Sequence, residues 1–307
     1  MGHVISVAAE ELLDKELPVP SHGFVRLVDY MGSDQSIVQA ARVSYGAGTK
    51  SVREDRGLIR YLMRHEHTTP FEMVVLKFHI KAPIFVVRQW LRHRTASVNE
   101  ESARYSIMRE EFHEPRWEDV GYQSKDNKQG RSSEAVPSEI VERFLAFLKQ
   151  DRETAYEHYQ GFLEDNIARE LARIVLPLSV YTQFYWQMNL HNLFHFLRLR
   201  MDPHAQKEIR DYANQVAVCA RAVAPLAWEA FEEYKLYGAS FSRSELDVIR
   251  SLIRGEPLPP DAFEGKKSLR REFEEKLGIS LSLPEPPGLA VSGNGGKEKG
   301  AGDRIER

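Results

Sequence analysis

A single cysteine, Cys219, stands in a chain of 307 residues. One thiol cannot close an internal disulfide or build a thiolate-rich zinc site, and it fits a reducing compartment. An excess of one charge is missing too: 42 Lys and Arg face 45 Asp and Glu, a formal net charge of −3. No bulk positive field recommends DNA, RNA or an anionic membrane as partner, so any anion must be bound locally. No apolar run approaches the roughly 20 residues that cross a bilayer. The opening "MGHVISVAAEELLDKEL" is too acidic and interrupted for a secretory signal, so a cytoplasmic protein is expected. Internal repeats are also absent. What the chain does have is 42% hydrophobic residues, enough to bury a large core.

Along the chain, "FVRLVDYM" and "MVVLKFHIK" alternate apolar and polar residues with the period of a half-buried strand, and "VYTQFYWQM" is aromatic and β-branched enough for a third. Helices are expected over "SIVQAARVSY", "EDRGLIRYLMRH", the segment starting at Pro83, a long stretch after Pro137, and "IARELARIV" before Pro177. More are expected in "LHNLFHFLRLR", in a segment capped at Asp202-Pro203, and in "APLAWEAFEEYKLYG". Strands mixed with helices but without regular βαβ alternation predict an α+β fold. Three parts are expected: a body over 1–240, a helical extension over 241–283, and a tail over 284–307. The extension carries a capping box at Ser242 and Glu245 and an apolar stripe of Leu246, Ile249 and Ile253. The tail, rich in Pro, Gly, Lys and Glu, cannot bury enough apolar surface to order itself.

The densest chemistry lies in "RQWLRHRTASVNEESARYS". Helical spacing puts Ile84, Val87 and Leu91 on one side, with Gln89, Arg92 and His93 on another and Arg88 at the seam. Arg, Gln and His in place of the usual Lys and Glu suit phosphates, carboxylates and heteroaromatic edges. The loop after this helix adds Asn99, Glu100, Ser102 and Arg104, the last two spaced to cradle a phosphate. In "NLHNLFHFLRLR" the apolar face runs through Leu190, Leu193, Phe196 and Leu197. Eleven residues are about three turns, so Asn189 and Arg200 project to that side. A buried arginine there needs an anion or polar ligand atoms. His191 and His195 share another side. Arg173 lies on a helix whose Leu171, Ile174 and Val175 face inward, and reads by itself as a surface residue. His65 and His67 lack the spacing of a zinc-protease helix and any third ligand, and fit a helix end with Thr68 or Thr69 capping the next segment. Cys219, among small apolar residues, reads as core packing and disfavours a cysteine nucleophile.

Arg92, His93 and Arg94, then seven residues and Ser102, resemble the signature of the flavin-dependent thymidylate synthases of the ThyX type. "AARVSYG", "HTTPFE", "ELARIVLPLSVYTQFYW" and "NLFHFLRLRMDPHAQKEIRDYA" are similar to that family's segments, in order, from about Gly23 to Gly238. The resemblance implies a homotetramer of mixed α/β subunits with a central antiparallel-rich sheet and FAD held between subunits. It also implies conversion of dUMP to dTMP, with methylenetetrahydrofolate as carbon donor and NADPH as reductant. The catalytic domain would be the body over 1–240. By position, Thr69, Arg92, His93, Arg94, Glu100, Asn189, His191 and His195 would contact FAD, with Ser44 and His204 near it. Gln89, Arg92, Glu100, Ser102, Arg104, Arg173 and Arg200 would contact dUMP. Arg200 would activate the uracil ring, and Ser102 would hold the nucleotide rather than attack it. His191 and His195 depart from the family's usual Arg and Asn. The competing reading is a nucleic-acid module that grips phosphates through "RQWLRHR"; it predicts steep salt dependence and no bound chromophore.

Overall fold

The computed structural model describes residues 4–43, 52–125, 130–259 and 262–281, so Ser44 and the tail over 284–307 lie outside the described residues. It divides into two units at Gly238.

The first unit is built on five strands, β1 (Glu16–Val19), β2 (Gly23–Met31), β3 (Val75–Pro83), β4 (Ser97–Glu100) and β5 (Tyr181–Asn189), in the order β1-β2-β3-β5-β4. Every neighbouring pair is antiparallel. Its helices in chain order are α1 (Val7–Glu10), α2 (Asp34–Arg42), α3 (Val52–Arg64), α4 (Thr69–Glu72), α5 (Ile84–Trp90), α6 (Ser138–Glu164), α7 (Arg169–Ala172), α8 (Leu190–Arg200), α9 (Lys207–Val223) and α10 (Pro225–Phe231).

At the centre, β3 and β5 run in register from Val75 opposite Asn189 to Pro83 opposite Tyr181. The period-2 pattern points Leu76, Phe78 and Ile80 of β3 and Phe184, Trp186 and Met188 of β5 into one buried cluster. Trp90, the last residue of α5, packs edge-on to Trp186 at 5.2 Å and tilted on Phe196 of α8 at 4.9 Å. Truncating a fully buried Trp such as this one costs about 3–5 kcal/mol. The alternation fails at the end of β3, where Lys81 is buried against expectation and pairs with Glu111 at 2.8 Å. Nearby, Tyr212 of α9 donates to the Lys81 carbonyl at 2.8 Å. Gly23 leaves room for that ring, since a Cβ there would lie 2.0 Å from the Tyr212 hydroxyl. At the other end, the buried Asp34 carboxylate accepts from the backbone N–H groups of Leu226 at 2.8 Å and Ala227 at 2.9 Å, capping α10 from far away in sequence.

Several expectations are corrected. The helix after Pro83 ends at Trp90, so Leu91 is exposed and Arg92, His93 and Arg94 sit in the turn beyond it, not on a helix face. The loop expected to carry Asn99 and Glu100 is, over Ser97–Glu100, strand β4, an edge strand whose four residues are all exposed; without a buried side it shows no alternation to read. "IARELARIV" is not one helix but α7 followed by a 3-10 turn, Arg173–Val175. Its Leu171, Ile174 and Val175 are exposed in the single chain, and the residue that packs inward is Ala172. The helix placed at Asp202-Pro203 starts at Lys207 with Gln206 as its N-cap. Thr68 occupies the N-cap of α4 but makes no side-chain capping bond.

The second unit holds α11 (Arg243–Arg254) and α12 (Lys267–Leu277) around Val248, Phe263, Phe273 and Leu281. The capping box is formed: Ser242 Oγ accepts from the Glu245 N–H, and Glu245 from the Ser242 N–H. The expected stripe is displaced, because Val248 is the buried position while Leu246 and Ile253 are exposed. Among the described residues no helix is long and apolar enough to cross a membrane.

Candidate functional site

Arg200 is the last residue of α8, where the negative end of the helix dipole favours a cation. The helix is set in place by Asn189, whose Oδ1 accepts from the Asn192 backbone N–H at 2.9 Å and from its Nδ2 at 3.0 Å. Arg200 Nε donates to His93 Nε2 at 3.0 Å, and its Nη2 to the Gln89 carbonyl at 3.4 Å. Burial lowers the guanidinium's pKa, with the charge of Arg92 adding to the effect. Among the described residues no carboxylate pairs with Arg200, although a desolvated cation normally demands an anion.

His93 is held neutral. Burial first, then the charge of Arg200 and the neighbouring His195, push its imidazole down to about 4. Because Nε2 accepts from Arg200, the single ring proton of the neutral form belongs on Nδ1, which is left as a donor. The ring stands edge-on to Phe196 at 4.9 Å and faces His195 at 6.1 Å.

His195 and His191 line a cleft of about 200 Å³ with His67, Thr68 and Arg198; Lys235, on its rim, pairs with Glu66 at 2.6 Å. Thr69 comes directly after Thr68, in α4. Burial lowers the His195 pKa, helped by Arg198 and His191. His65 and His67 pack around Tyr61, their rings 6.4 Å apart.

A second set of residues sits on β4 and beyond. Thr182, buried on β5, donates to Glu100 Oε1 at 2.9 Å and fixes that otherwise exposed carboxylate. Ser102 Oγ receives only long contacts from Arg104, 3.4 Å from its backbone N–H and 3.5 Å from Nε. The Arg104 guanidinium lies over the Tyr105 ring at 5.4 Å. Arg169 of α7 donates to the Tyr105 carbonyl at 2.7 Å, and Ala103 and Ala172 belong to one small apolar cluster. These contacts bring Arg173 into the same piece of structure as Ser102 and Arg104. Among the described residues no hydrogen bond or ion pair joins this set to the Arg200 cluster. Arg94 is exposed, and His204 hydrogen-bonds Asp202 at 2.9 Å.

Three residues escaped the reading of the sequence. Thr182 is one. The others are Gln206 and Glu208, which connect to Gln89: Gln89 Nε2 donates to Gln206 Oε1, and Gln206 Nε2 to Glu208 Oε2 at 2.8 Å. In sequence, a glutamate in a helix's first turn signals only a helix start.

Residues 26–226 match the family described as thymidylate synthase complementing protein. A flavin-dependent thymidylate synthase of Thermus thermophilus is 59% identical over 275 residues, covering 90% of this chain and 98% of that protein. One from Treponema denticola is 56% identical over 265 residues, covering 86% and 98%. Among solved structures, the UMP/dUMP methylase PolB from Streptomyces cacaoi bound with 5-Br dUMP matches with a TM-score of 0.65 at 36% identity, over 72% of this chain and 99% of that one.

Proposed function

Because this chain belongs to the flavin-dependent thymidylate synthase family, we propose that it methylates dUMP to dTMP, taking the carbon from methylenetetrahydrofolate and the reducing equivalents from NADPH. The observation that carries the reading is Arg200, a half-buried guanidinium that faces a neutral imidazole and a carbonyl but, among the described residues, no carboxylate. A uracil ring made reactive at C5 or C6 gathers negative charge on its ring N and O atoms, and a fixed cation in a dry site stabilises that charge better than water does. Ser102, Arg104 and Arg173 would take the nucleotide phosphate. Ser102 needs no activating base for that task, and Cys219 is excluded as nucleophile by place and chemistry: it is fully buried and burial pushes its thiol up to about 12.

The residues fit FAD as the second ligand. The cleft offers imidazole edges from His67, His191 and His195 and the cation of Arg198, while His93 contributes an Nδ1–H donor and Asn189 its uncommitted Nδ2. Arg92 and Arg94 have no ion-pair partner among the described residues, as phosphate ligands should. Bound FAD would supply the hydride chemistry.

Drug-sized ligands usually occupy roughly 300–1,000 Å³, so the cleft of one chain is too small for a dinucleotide. We read the remainder as supplied by other copies. Supporting this, α6 buries only Val141, Tyr156 and Tyr159 of its 27 residues, and Ile174 (71%), Leu171 and Phe147 (both 58%) are exposed to solvent in the single chain. An apolar surface of this kind marks an interface, and a homotetramer with shared FAD sites accounts for it.

The test is direct. Purified protein should be yellow with the blue-light band of oxidised flavin, and should form dTMP from dUMP only when methylenetetrahydrofolate and NADPH are both present. Protein that stays colourless after incubation with FAD, or flavoprotein without dTMP formation, would refute the proposal.

A further inference from the structure

Gln89 is the start of a chain of side chains that ends on a charge. The Glu208 carboxylate is 7% exposed, lies in the first turn of α9, and accepts from Arg131 Nη2 and from Gln206 Nε2. Arg131 also donates to the Asp119 carbonyl at 2.8 Å, which anchors it on its own segment. His113 lies 3.9 Å from Glu208 on another side. Despite burial, the carboxyl is kept below its ordinary range by Arg131 and Gln206, so the group is an anion at neutral pH.

An ionised carboxylate only accepts hydrogen bonds, whereas a primary amide donates from nitrogen and accepts at oxygen. Gln206 must therefore turn its Nε2 toward Glu208, which leaves its Oε1 toward Gln89. Gln89 must then answer with Nε2. Two amides that could each sit either way are fixed in series by one charge, and the oxygen of Gln89 is the atom left over.

We propose that Gln206 and Glu208 are positioning residues that lock the Gln89 carboxamide in one orientation, so that it presents its carbonyl oxygen as a hydrogen-bond acceptor to a donor group of the nucleotide. The inference rests on the proposed reading of Gln89 as a nucleotide contact. Its content is the polarity of that contact: the locked orientation favours a ligand with an N–H or O–H at this point and rejects one that offers only a lone pair there.

Reversing the wire tests it in the full-length flavoprotein. Glu208→Gln removes the charge that sets the direction, and dUMP binding measured by calorimetry should weaken about tenfold with flavin absorbance retained. The melting temperature should fall as well, because Arg131 loses its ion-pair partner, and that fall should persist when Gln89→Glu is added, while affinity returns. Gln89→Glu alone leaves two acceptors in contact wherever Gln206 turns, and should weaken binding at least as much. In the double variant Gln89→Glu/Glu208→Gln every donor again meets an acceptor, with Gln206 turned around and an oxygen of residue 89 still facing the ligand. Affinity should return to within about threefold of the unaltered enzyme. Additive losses in the double variant, or equal falls in flavin content and melting temperature across all three, would overturn the relay and leave Glu208 a structural group. The separate control is Gln89→Ala: unchanged dUMP affinity there would remove Gln89 from the nucleotide site, a failure of the underlying reading rather than of the amide lock.

Discussion

The Arg200 end of the site and the Ser102 end are built in opposite ways. Around Arg200, side chains from α5, the turn after it, α8 and the N-cap of α9 already hold one another: Arg200 on His93, His93 against Phe196, Gln89 on Gln206. Around Ser102, Arg104 and Arg173, the polar groups are exposed or half-buried and their mutual contacts are long. What a single chain organises is thus the surroundings of Arg200, where under the proposed function charge would be stabilised during the reaction. Under the same proposal Ser102, Arg104 and Arg173 can be left open, because a bound phosphate and a neighbouring copy would arrange them. Preorganisation matters most where it lowers a barrier.

The sharpest way to break this contrast is to prevent the proposed assembly. Ile174→Asp puts a charge on the exposed apolar surface beside Arg173, and should leave a monomer that has lost both flavin and turnover. Size-exclusion chromatography with absorbance detection reads both at once, and a yellow monomer would mean that one chain holds the whole site. Arg200→Ala comes next. It should lower turnover roughly a hundred- to a thousandfold while flavin stays bound, and a colourless product would move Arg200 from the nucleotide to the flavin. Ser102→Ala should weaken dUMP by about 1.5–3 kcal/mol, the worth of a hydrogen bond to a charged group, again with flavin retained. If it instead binds dUMP normally and is inactive, Ser102 does chemistry rather than holding.

The smallest effect concerns His93. Its folded pKa is depressed from 6.5 to about 4. Protonation therefore favours the unfolded chain, and the stabilising contribution, complete above pH 6.5, is lost as pH falls toward 4. Partial exposure reduces the size of the effect. The melting temperature should decline over that window, and His93→Gln should flatten the slope; an unchanged slope would show that the imidazole titrates normally.

The two ends also differed in how far they could be read from sequence. The half-burial of Arg200 was legible because an arginine among Leu193, Phe196 and Leu197 violates the expected pattern of an apolar helix face. Strands β2, β3 and β5 were legible because each buries one side. Strand β4 was not, since an edge strand exposed on all four residues has no period to detect. The exposed apolar residues of α7 and the turn after it imitated an inward face. Pattern alone cannot tell a core from an exposed apolar surface. Glu208 was invisible for a different reason, because its meaning lies in a partner that only the fold brings near.

The central pairing of β3 with β5 also sets a timetable. About a hundred residues of chain separate Pro83 from Tyr181, its partner in the ladder. At synthesis rates of roughly 5–20 residues per second, β5 leaves the ribosome about 5–20 seconds after β3. Throughout that delay β3 can pair only with β2, and its other edge offers unclaimed N–H and C=O groups alongside Leu76, Phe78 and Ile80 with half their cover missing. The growing chain thus carries an open strand edge in the middle of its own translation, and whatever shields that one edge until β5 arrives protects the strand at the centre of the mature sheet.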